Sequence, residues 1–399
     1  MLPTQTLLKK FGTEKTLVIL ISRVYFKTLS AVEVQNFIDV QKFDWELCYL
    51  FIRRHGIRTF IYHSIQASGM IMPEDFLKKL KGDLMALSMT NLHQQKYLVE
   101  LVRELTAAGI PVIPYKGISF AKAYYKSPSM RESSDIDLMI NRRSVKPALK
   151  YFKRKGMPFK SGWEIPDEWL PYYLKIAKDL ELKTPAVNNA MKCTVEIQWK
   201  LTELHMGSFP EFDFFIQGLE KNEQLNKGNG YPRLQPAYDF LCMASNHFIR
   251  EPLMRFKYVI DTACLLQTAG DSIDGVLIHK TLKKYGHQRI VNASLSAIEE
   301  LLGISNAQLP FDNIPDNELS NVATAYPVVK NTEKGNEHYP FFLNFQDSSW
   351  NKMKAQLRTL YYYVVPTASD IRYFKLPAVA LPLLFIFRPF RLFFKLFAK

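Results

Sequence analysis

The hydrophobic pattern of the chain changes at Gly109, from a helical repeat to short strand-like runs. Before this point apolar residues recur at helical spacing, most regularly in the segment that follows Pro73. After it come the apolar run 110–115 and a second run, 136–140, which is flanked by aspartates. Runs this short, bounded by glycine and charged residues, predict buried strands. The sequence therefore places a small sheet after a long helical region.

Two later segments, 179–183 and 193–200, alternate apolar and polar residues. Pro185 and an Asn-Asn pair lie between them, which favours a hairpin. This mixture of strand, helix and hairpin predicts an α+β fold, with a mixed sheet core flanked by N-terminal and C-terminal helical regions. For 399 residues we expect several packed units. They are a helical region 1–108, an α/β core 109–205, a helical domain 206–303, a loop or linker 304–349, and a helix with a basic amphipathic tail, 350–399.

The composition constrains the binding partners and the cellular compartment of the protein. Lys and Arg outnumber Asp and Glu by 52 to 38, a formal net charge of +14, which suits nucleic acid, phosphate-rich ligands or an anionic membrane surface. The four cysteines form no CxxC pair, which argues against a zinc site or disulfides and predicts a reducing, cytoplasmic compartment. We expect no secretory signal and no membrane-spanning helix, because the apolar runs are too short.

Two carboxylates of the second predicted strand, Asp135 and Asp137, are two positions apart. Side chains at i and i+2 of a strand face the same way, so both carboxylates point to one side and Ile136 points to the core. Carboxylates this close repel each other, and a hard cation relieves the repulsion. Glu196 can join the pair if its strand lies beside theirs. Three such carboxylates indicate a metal-assisted phosphoryl-transfer site for Mg²⁺ or Mn²⁺.

Four further residues are candidates for binding phosphate. Gly117 lies between a predicted strand and a helix N-terminus, where backbone N–H groups can approach phosphate closely. Lys116 adds a positive charge and Ser119 adds a hydroxyl. Arg131, just before the aspartate strand, could pair with phosphate or orient a carboxylate, or it could be a solvated surface side chain.

Two polar residues of the C-terminal helices could reach the same cleft. His247 and Asp261 lie on successive predicted helices, although a satisfied helix residue is the simpler interpretation of each. Lys257, on the same helix as Asp261, is most simply a solvated base.

Taken in their order along the chain, these motifs resemble those of the nucleotidyltransferase superfamily, which includes DNA polymerase β and the small-molecule adenylyltransferases. The chain is most similar to a bacterial branch with Lys-Gly after the first strand, Arg-x-x-x-Asp-Ile-Asp-Leu on the second, and a Glu-Leu-His-Trp-like third motif. Glu196-Ile197-Gln198-Trp199 matches that third motif in part. The resemblance implies Gly117 and Ser119 near the triphosphate, Asp135 and Asp137 on metal, and Glu196 as the third carboxylate.

The favoured hypothesis is the transfer of a nucleoside monophosphate from an NTP to a small molecule or an envelope-glycan precursor. Two positions depart from the resemblance: Ile118 separates a Gly and Ser that are usually adjacent, and Gln198 stands where the branch often has His. Gln198 supports the alternative, an inactive nucleotide-binding or regulatory protein of the same fold. A nucleic-acid partner is less favoured, because no recognisable nucleic-acid motif is present.

The segment 371–399 carries six Lys or Arg residues and no acidic residue, and its bases alternate with phenylalanines. Such a basic, aromatic segment suits the inner face of an anionic membrane, to which the protein would be peripherally bound. The alternative is that this tail docks its apolar side on the protein's own core.

Overall fold

Six helices come before the first strand in the computed structural model, which describes residues 1–184, 193–220, 230–309 and 342–397. These helices are α1 (Thr4–Phe11), α2 (Thr13–Tyr25), α3 (Ala31–Val40), α4 (Trp45–Arg54), α5 (Arg58–Ser68) and α6 (Glu74–Ala107). The carboxylate of Asp44 accepts from Leu47 N and caps α4, and the Pro73 turn opens α6. Both starts agree with the sequence signals.

The sheet has four strands: β1 (Val112–Pro114), β2 (Asp135–Ile140), β3 (Asp179–Lys183) and β4 (Thr194–Gln198). Their spatial order is β1-β2-β4-β3. β2 and β4 run parallel, whereas β1–β2 and β3–β4 are antiparallel pairs. The sheet is therefore mixed and the α+β class is confirmed. The predicted turn between β3 and β4, residues 185–192, lies outside the described residues.

One face of the sheet is apolar and packs on helices. α7 (Gly117–Tyr124) follows β1, and α8 (Val145–Arg154) and α9 (Leu170–Ile176) lie between β2 and β3. Ile136 and Leu138 of β2 join Val195 and Ile197 of β4 in a core with α6, α7 and α8. Because side chains alternate along a strand, the acidic residues of β2 and β4 are left on the opposite face.

The helices after the sheet are α10 (Phe212–Phe215), α11 (Pro236–Ala244), α12 (Phe256–Ala269), α13 (Gly275–Tyr285) and α14 (Gln288–Leu302). The predicted helix that contains His247 widens into a π-helix at Ser245–Arg250. Side chains of α1–α6 and of α11–α14 pack together in one hydrophobic core. Within the predicted linker 304–349, residues 310–341 lie outside the described part of the chain.

Three helices form the tail: α15 (Ser349–Val364), α16 (Ala368–Phe374) and α17 (Leu381–Phe397). The tail is attached to the segment around α9, where Trp169 packs with Ile371 and Leu384. Over the four described ranges, no helix combines the length and the apolar character needed to cross a membrane.

Candidate active site

Asp135, Asp137 and Glu196 come together at the polar face of the sheet. β2 and β4 are parallel neighbours, and their register sets Asp137 opposite Glu196. One ligand oxygen from each of the three carboxylates lies within 4.8 Å of the others. The condition set by the sequence, that the two strands be adjacent, is met. Three oxygen donors at this spacing fit a hard divalent cation.

The electrostatics of the cluster also fit a cation. Burial, together with the charges of Asp135 and Glu196, raises the pKa of Asp137 to about 7 against the opposing charge of Lys116. Burial also raises the pKa of Glu196, but Lys116, Lys178 and Arg250 outweigh that effect and leave it below its usual value. The carboxylates are therefore only partly neutralised by the protein's own bases.

The turn between β1 and α7 brings backbone close to these carboxylates. Lys116 has φ +56° and Gly117 has φ +42°. A Cβ on Gly117 would lie 3.1 Å from Oγ of Ser133 and 3.2 Å from the carbonyl oxygen of Asp135. Glycine is thus required here, and the conformation of Lys116, with positive φ and ψ −157°, costs about 1–3 kcal/mol. Nζ of Lys116 lies 3.8 Å from Oδ1 of Asp137.

Gln198 lies on β4 and links the acidic residues of the two strands. Its amide nitrogen donates to Oδ1 of Asp137 at 3.2 Å and also donates to Oε1 of Glu196. Its amide oxygen accepts from the Tyr115 hydroxyl. The side chain is 1% exposed. Gln198, which stands where the resembling branch often has His, therefore fixes the separation of the Asp137 and Glu196 carboxylates.

A cavity of about 210 Å³ opens over the carboxylates, and its opposite wall is rich in bases. That wall comes from the π-helix and the start of α12, and its polar residues are Asn246, His247, Arg250, Glu251, Arg255 and Lys257. The floor is formed by the three carboxylates and by the turn at Lys116 and Gly117. A cavity with acidic groups on one side and basic groups on the other can hold a metal ion and phosphates together.

Residues 41–303 of the chain match a family described as uncharacterised nucleotidyltransferase. The chain belongs to this nucleotidyltransferase family. No match was found among curated proteins or among solved structures. The matched range contains the carboxylates, the Lys-Gly turn and the basic wall of the cavity, whereas the tail helices α15–α17 lie beyond it.

Of the remaining predicted site residues, Ser119 is buried one turn into α7 and is not among the described residues that line the cavity. Arg131 does line it, and is buried, so the solvated alternative is wrong. Its guanidinium makes a bidentate pair with Asp261, at 2.8 and 2.9 Å, and donates to the carbonyl of Gly117 at 3.1 Å. Arg131 thus orients a carboxylate, and ties α12 to the Lys-Gly turn.

Asp261 is fully buried and is the centre of a hydrogen-bond network. Besides Arg131, it accepts from the Tyr125 hydroxyl at 2.6 Å and from Nε2 of His247 at 3.0 Å. Burial raises the pKa of Asp261, but the Arg131 charge and these hydrogen bonds hold it well below its usual range. Burial lowers the pKa of His247 to about 4, so the imidazole is neutral. Asp261 and His247 are both satisfied helix residues, and His247 also lines the cavity.

The sequence did not point to several bases of this site. Lys257 is not a solvated base: it lines the cavity, its Nζ donates to the carbonyl of Glu132, and burial lowers its pKa to about 8. Nζ of Lys178 lies 3.5 Å from Oε1 of Glu196, and burial and Arg250 lower its pKa to about 8. Neither lysine belongs to a motif, so only the tertiary structure brings them to the site.

Proposed function

We propose that this protein transfers a nucleoside monophosphate from an NTP to a hydroxyl or phosphate acceptor. In the reaction, an acceptor oxygen bonds to the α-phosphorus, the bond to the β-phosphate oxygen breaks, and pyrophosphate leaves. The observation that carries the proposal is the meeting of Asp135, Asp137 and Glu196 beside the Lys-Gly turn, under a basic wall. The family of the chain supports the same reaction class.

Asp135, Asp137 and Glu196 are the residues that would hold Mg²⁺ or Mn²⁺. Their oxygens are the donors that these hard ions prefer, and their mutual repulsion favours a cation among them. When bound, the ion supplies the positive charge that lets phosphates and three carboxylates share one cavity. Glu196 is also a candidate base for the acceptor hydroxyl, because its lowered pKa keeps the carboxylate ionised and able to accept a proton at neutral pH.

The chain's own cations and backbone would bind the triphosphate. The N-terminus of α7 at Gly117 offers backbone N–H groups, and Lys116 offers an ammonium group beside them. Arg250 and Arg255 face the same cavity from the other wall. We give Arg131 a positioning role, through its bonds to Gly117 and Asp261, and place Ser119 behind the phosphate site.

A small molecule or an envelope-glycan precursor is the proposed acceptor. The cavity of about 210 Å³ is somewhat smaller than the roughly 300–1,000 Å³ of typical ligand pockets, which favours a small acceptor over a polynucleotide. We place the reaction in the cytoplasm. The four cysteines are free and buried, the state that thiols keep in a reducing compartment, and this supports the location.

The test is metal-dependent release of pyrophosphate from each of the four NTPs, with a low-molecular-mass cell extract as the source of acceptor. We expect release with wild type and a loss of at least a hundredfold with Asp135→Asn/Asp137→Asn. Glu181→Gln is the matched control. Glu181 lies opposite Glu196 in the register of β3 and β4, but its carboxylate forms an ion pair with Lys160 outside the cluster. Equal release by wild type and the double variant would remove the proposal.

Gln198 favours a second candidate function, a regulatory protein that binds NTP without turning it over. Its amide occupies the position between Asp137 and Glu196 that the related branch often gives to His. One experiment distinguishes the two functions. Metal-dependent NTP binding without pyrophosphate release from any NTP would favour the regulatory protein.

A further inference from the structure

Helix α17 turns its arginines inward and its large apolar residues outward. Arg388 is 4% exposed and donates to the Asp370 carboxylate and to the carbonyls of Tyr362 and Tyr363. Nε of Arg391 lies 2.7 Å from Oδ1 of Asp370. The exposed apolar residues of α17 follow the helical repeat: Leu383, Ile386, Phe387, Phe390 and Phe394. An ordinary surface helix has the opposite arrangement: its apolar side packs inward and its charged side faces water.

Helix α15 carries a similar exposed stripe. Its members, at helical spacing, are Trp350, Met353, Leu357, Leu360, Tyr361 and Val364. α15 and α17 contact each other through the bonds of Arg388 to the carbonyls near the end of α15. Together the exposed sides of these two helices form what we call the α15–α17 surface. The exposed apolar residues lie in two stripes, whereas those that a soluble protein normally shows to water are scattered singly.

The charge around this surface indicates its partner. From residue 349 to the end, the sequence has nine Lys or Arg residues and a single acidic residue, Asp370. Asp370 is buried beneath Arg388 and Arg391, so its charge is already paired. Lys352, Lys354 and Lys375 are exposed on the same segment. Nζ of Lys354 lies 5.0 Å from the centroid of the Trp350 ring. A second copy of the surface would meet its own positive charge, whereas anionic lipid headgroups complement it.

The surface is held in a fixed position on the protein. Nε1 of Trp169 donates to the carbonyl of Leu376 at 3.1 Å, and the Tyr172 hydroxyl donates to the carbonyl of Pro366 at 2.9 Å. Ile371 and Leu384 pack against Trp169. The docking alternative for the tail is therefore met in part: one side packs on the protein, and the other side is exposed.

We propose that the α15–α17 surface binds an anionic lipid bilayer, with α17 lying in the plane of the interface. Its aromatic and aliphatic side chains enter the headgroup region, and the neighbouring bases meet the lipid phosphates. The inference is independent of the nucleotidyl-transfer proposal, because it uses no residue of the cavity.

The test is flotation of the full-length protein with vesicles of phosphatidylcholine alone, or of phosphatidylcholine and phosphatidylglycerol in equal parts. We expect binding to the anionic vesicles and a fall on the order of tenfold or more in Ile386→Ser/Phe390→Ser/Phe394→Ser. The matched control is Met85→Ser/Met89→Ser/Leu92→Ser, which removes three equally exposed apolar residues from α6. The control should bind as wild type does. Because all six residues are exposed, both variants should keep the wild-type thermal unfolding temperature.

A charge variant, Lys352→Gln/Lys354→Gln/Lys375→Gln, tests the electrostatic part. Each base removed should weaken binding to anionic vesicles on the order of fivefold, and added salt should have the same effect on wild type. Absence of flotation by wild type, or an equal loss in the α6 control, overturns the proposal. Wild type that sediments as a dimer without lipid, and a serine variant that sediments as a monomer, would assign the surface to a second copy instead.

Discussion

The side-chain amide nitrogen of Gln198 lies 3.2 Å from Oδ1 of Asp137 and donates a hydrogen bond to it. The same nitrogen donates to Glu196, so one uncharged group bridges the acidic residues of two parallel strands. A histidine in this position could change its charge near neutral pH, whereas an amide cannot. The hydroxyl of Tyr115, which donates to the amide oxygen, fixes which way the amide faces.

Replacing Gln198 should weaken metal binding. In Gln198→Ala the two carboxylates lose the donor that sets their separation, and we expect Mn²⁺ affinity to fall about tenfold to a hundredfold, as for other residues that orient metal ligands. Calorimetric titration with Mn²⁺ measures this. Tyr115→Phe removes only the hydroxyl that orients the amide and should have a smaller effect. An unchanged affinity in Gln198→Ala would show that the amide has no such role.

The glycine turn offers a test of backbone conformation. Gly117→Ala should destabilise the protein by about 1–2 kcal/mol and reduce nucleotide binding, because the new Cβ meets Ser133 and the Asp135 carbonyl at positive φ. Urea unfolding and a nucleotide-binding titration measure the two effects. Gly82→Ala is the control: no atom lies within 4 Å of the added Cβ in α6, and we expect a gain of about 0.5–1 kcal/mol. Equal behaviour of both variants would contradict the steric argument.

Removing Arg131 should be strongly destabilising. Arg131→Leu leaves the carboxylate of Asp261 buried without its charge partner, and we expect a loss of about 3–5 kcal/mol in the free energy of unfolding. Lys153→Ala breaks an ion pair of similar length, 2.9 Å to Glu164, on the surface. That variant should change the free energy of unfolding by less than about 1 kcal/mol. A small effect of Arg131→Leu would show that the other hydrogen-bond donors to Asp261 are sufficient to stabilise its buried carboxylate.

Acid should destabilise the fold through His55. Its Nδ1 accepts from the backbone N–H of Phe256 at 2.8 Å, and burial, with nearby Arg54 and Arg255, lowers its pKa to about 3. The folded state therefore binds fewer protons than the unfolded state, whose His pKa is about 6.5. Stability is thus lost as pH falls from about 6.5 towards 3. By pH 5 the loss from this group is about 2 kcal/mol.

Urea unfolding at pH 7.5 and pH 5 tests the role of His55. His55→Asn keeps a hydrogen-bond acceptor for Phe256 but cannot be protonated, so its stability should fall less than that of wild type. The comparison between the two proteins isolates His55, because the other titrating groups are common to both. The same pH dependence in both proteins would show that the pKa of His55 is not lowered in the folded state.

Much of the fold was predictable where a signal is local. Asp44 and Pro73 mark helix starts by local hydrogen bonding and by fixed φ, and both helices begin there. The alternation around Asp135 and Glu196 also predicts which face of each strand is polar, since it depends only on the two-residue repeat.

The rest depends on contacts that no local pattern contains. The pairing of Arg131 with Asp261 spans 130 residues, and Lys257 is buried because its helix packs against the segment that contains Glu132. The π-helix at Ser245–Arg250 interrupts an apolar repeat that predicted a regular helix. In the tail, the alternation of bases and phenylalanines does not show that Arg388 faces inward, because Asp370 lies in another helix.

The common core of α1–α6 and α11–α14 has a consequence for biosynthesis. The carboxylate strands leave the ribosome well before α12, so Arg131 is translated before the aspartate that fixes it. Until α12 arrives, one wall of the cavity does not exist and the early helices have an uncovered apolar side. A nascent chain arrested before α12 should therefore be a substrate for chaperones, and it lacks the part of the cavity wall that contains Lys257.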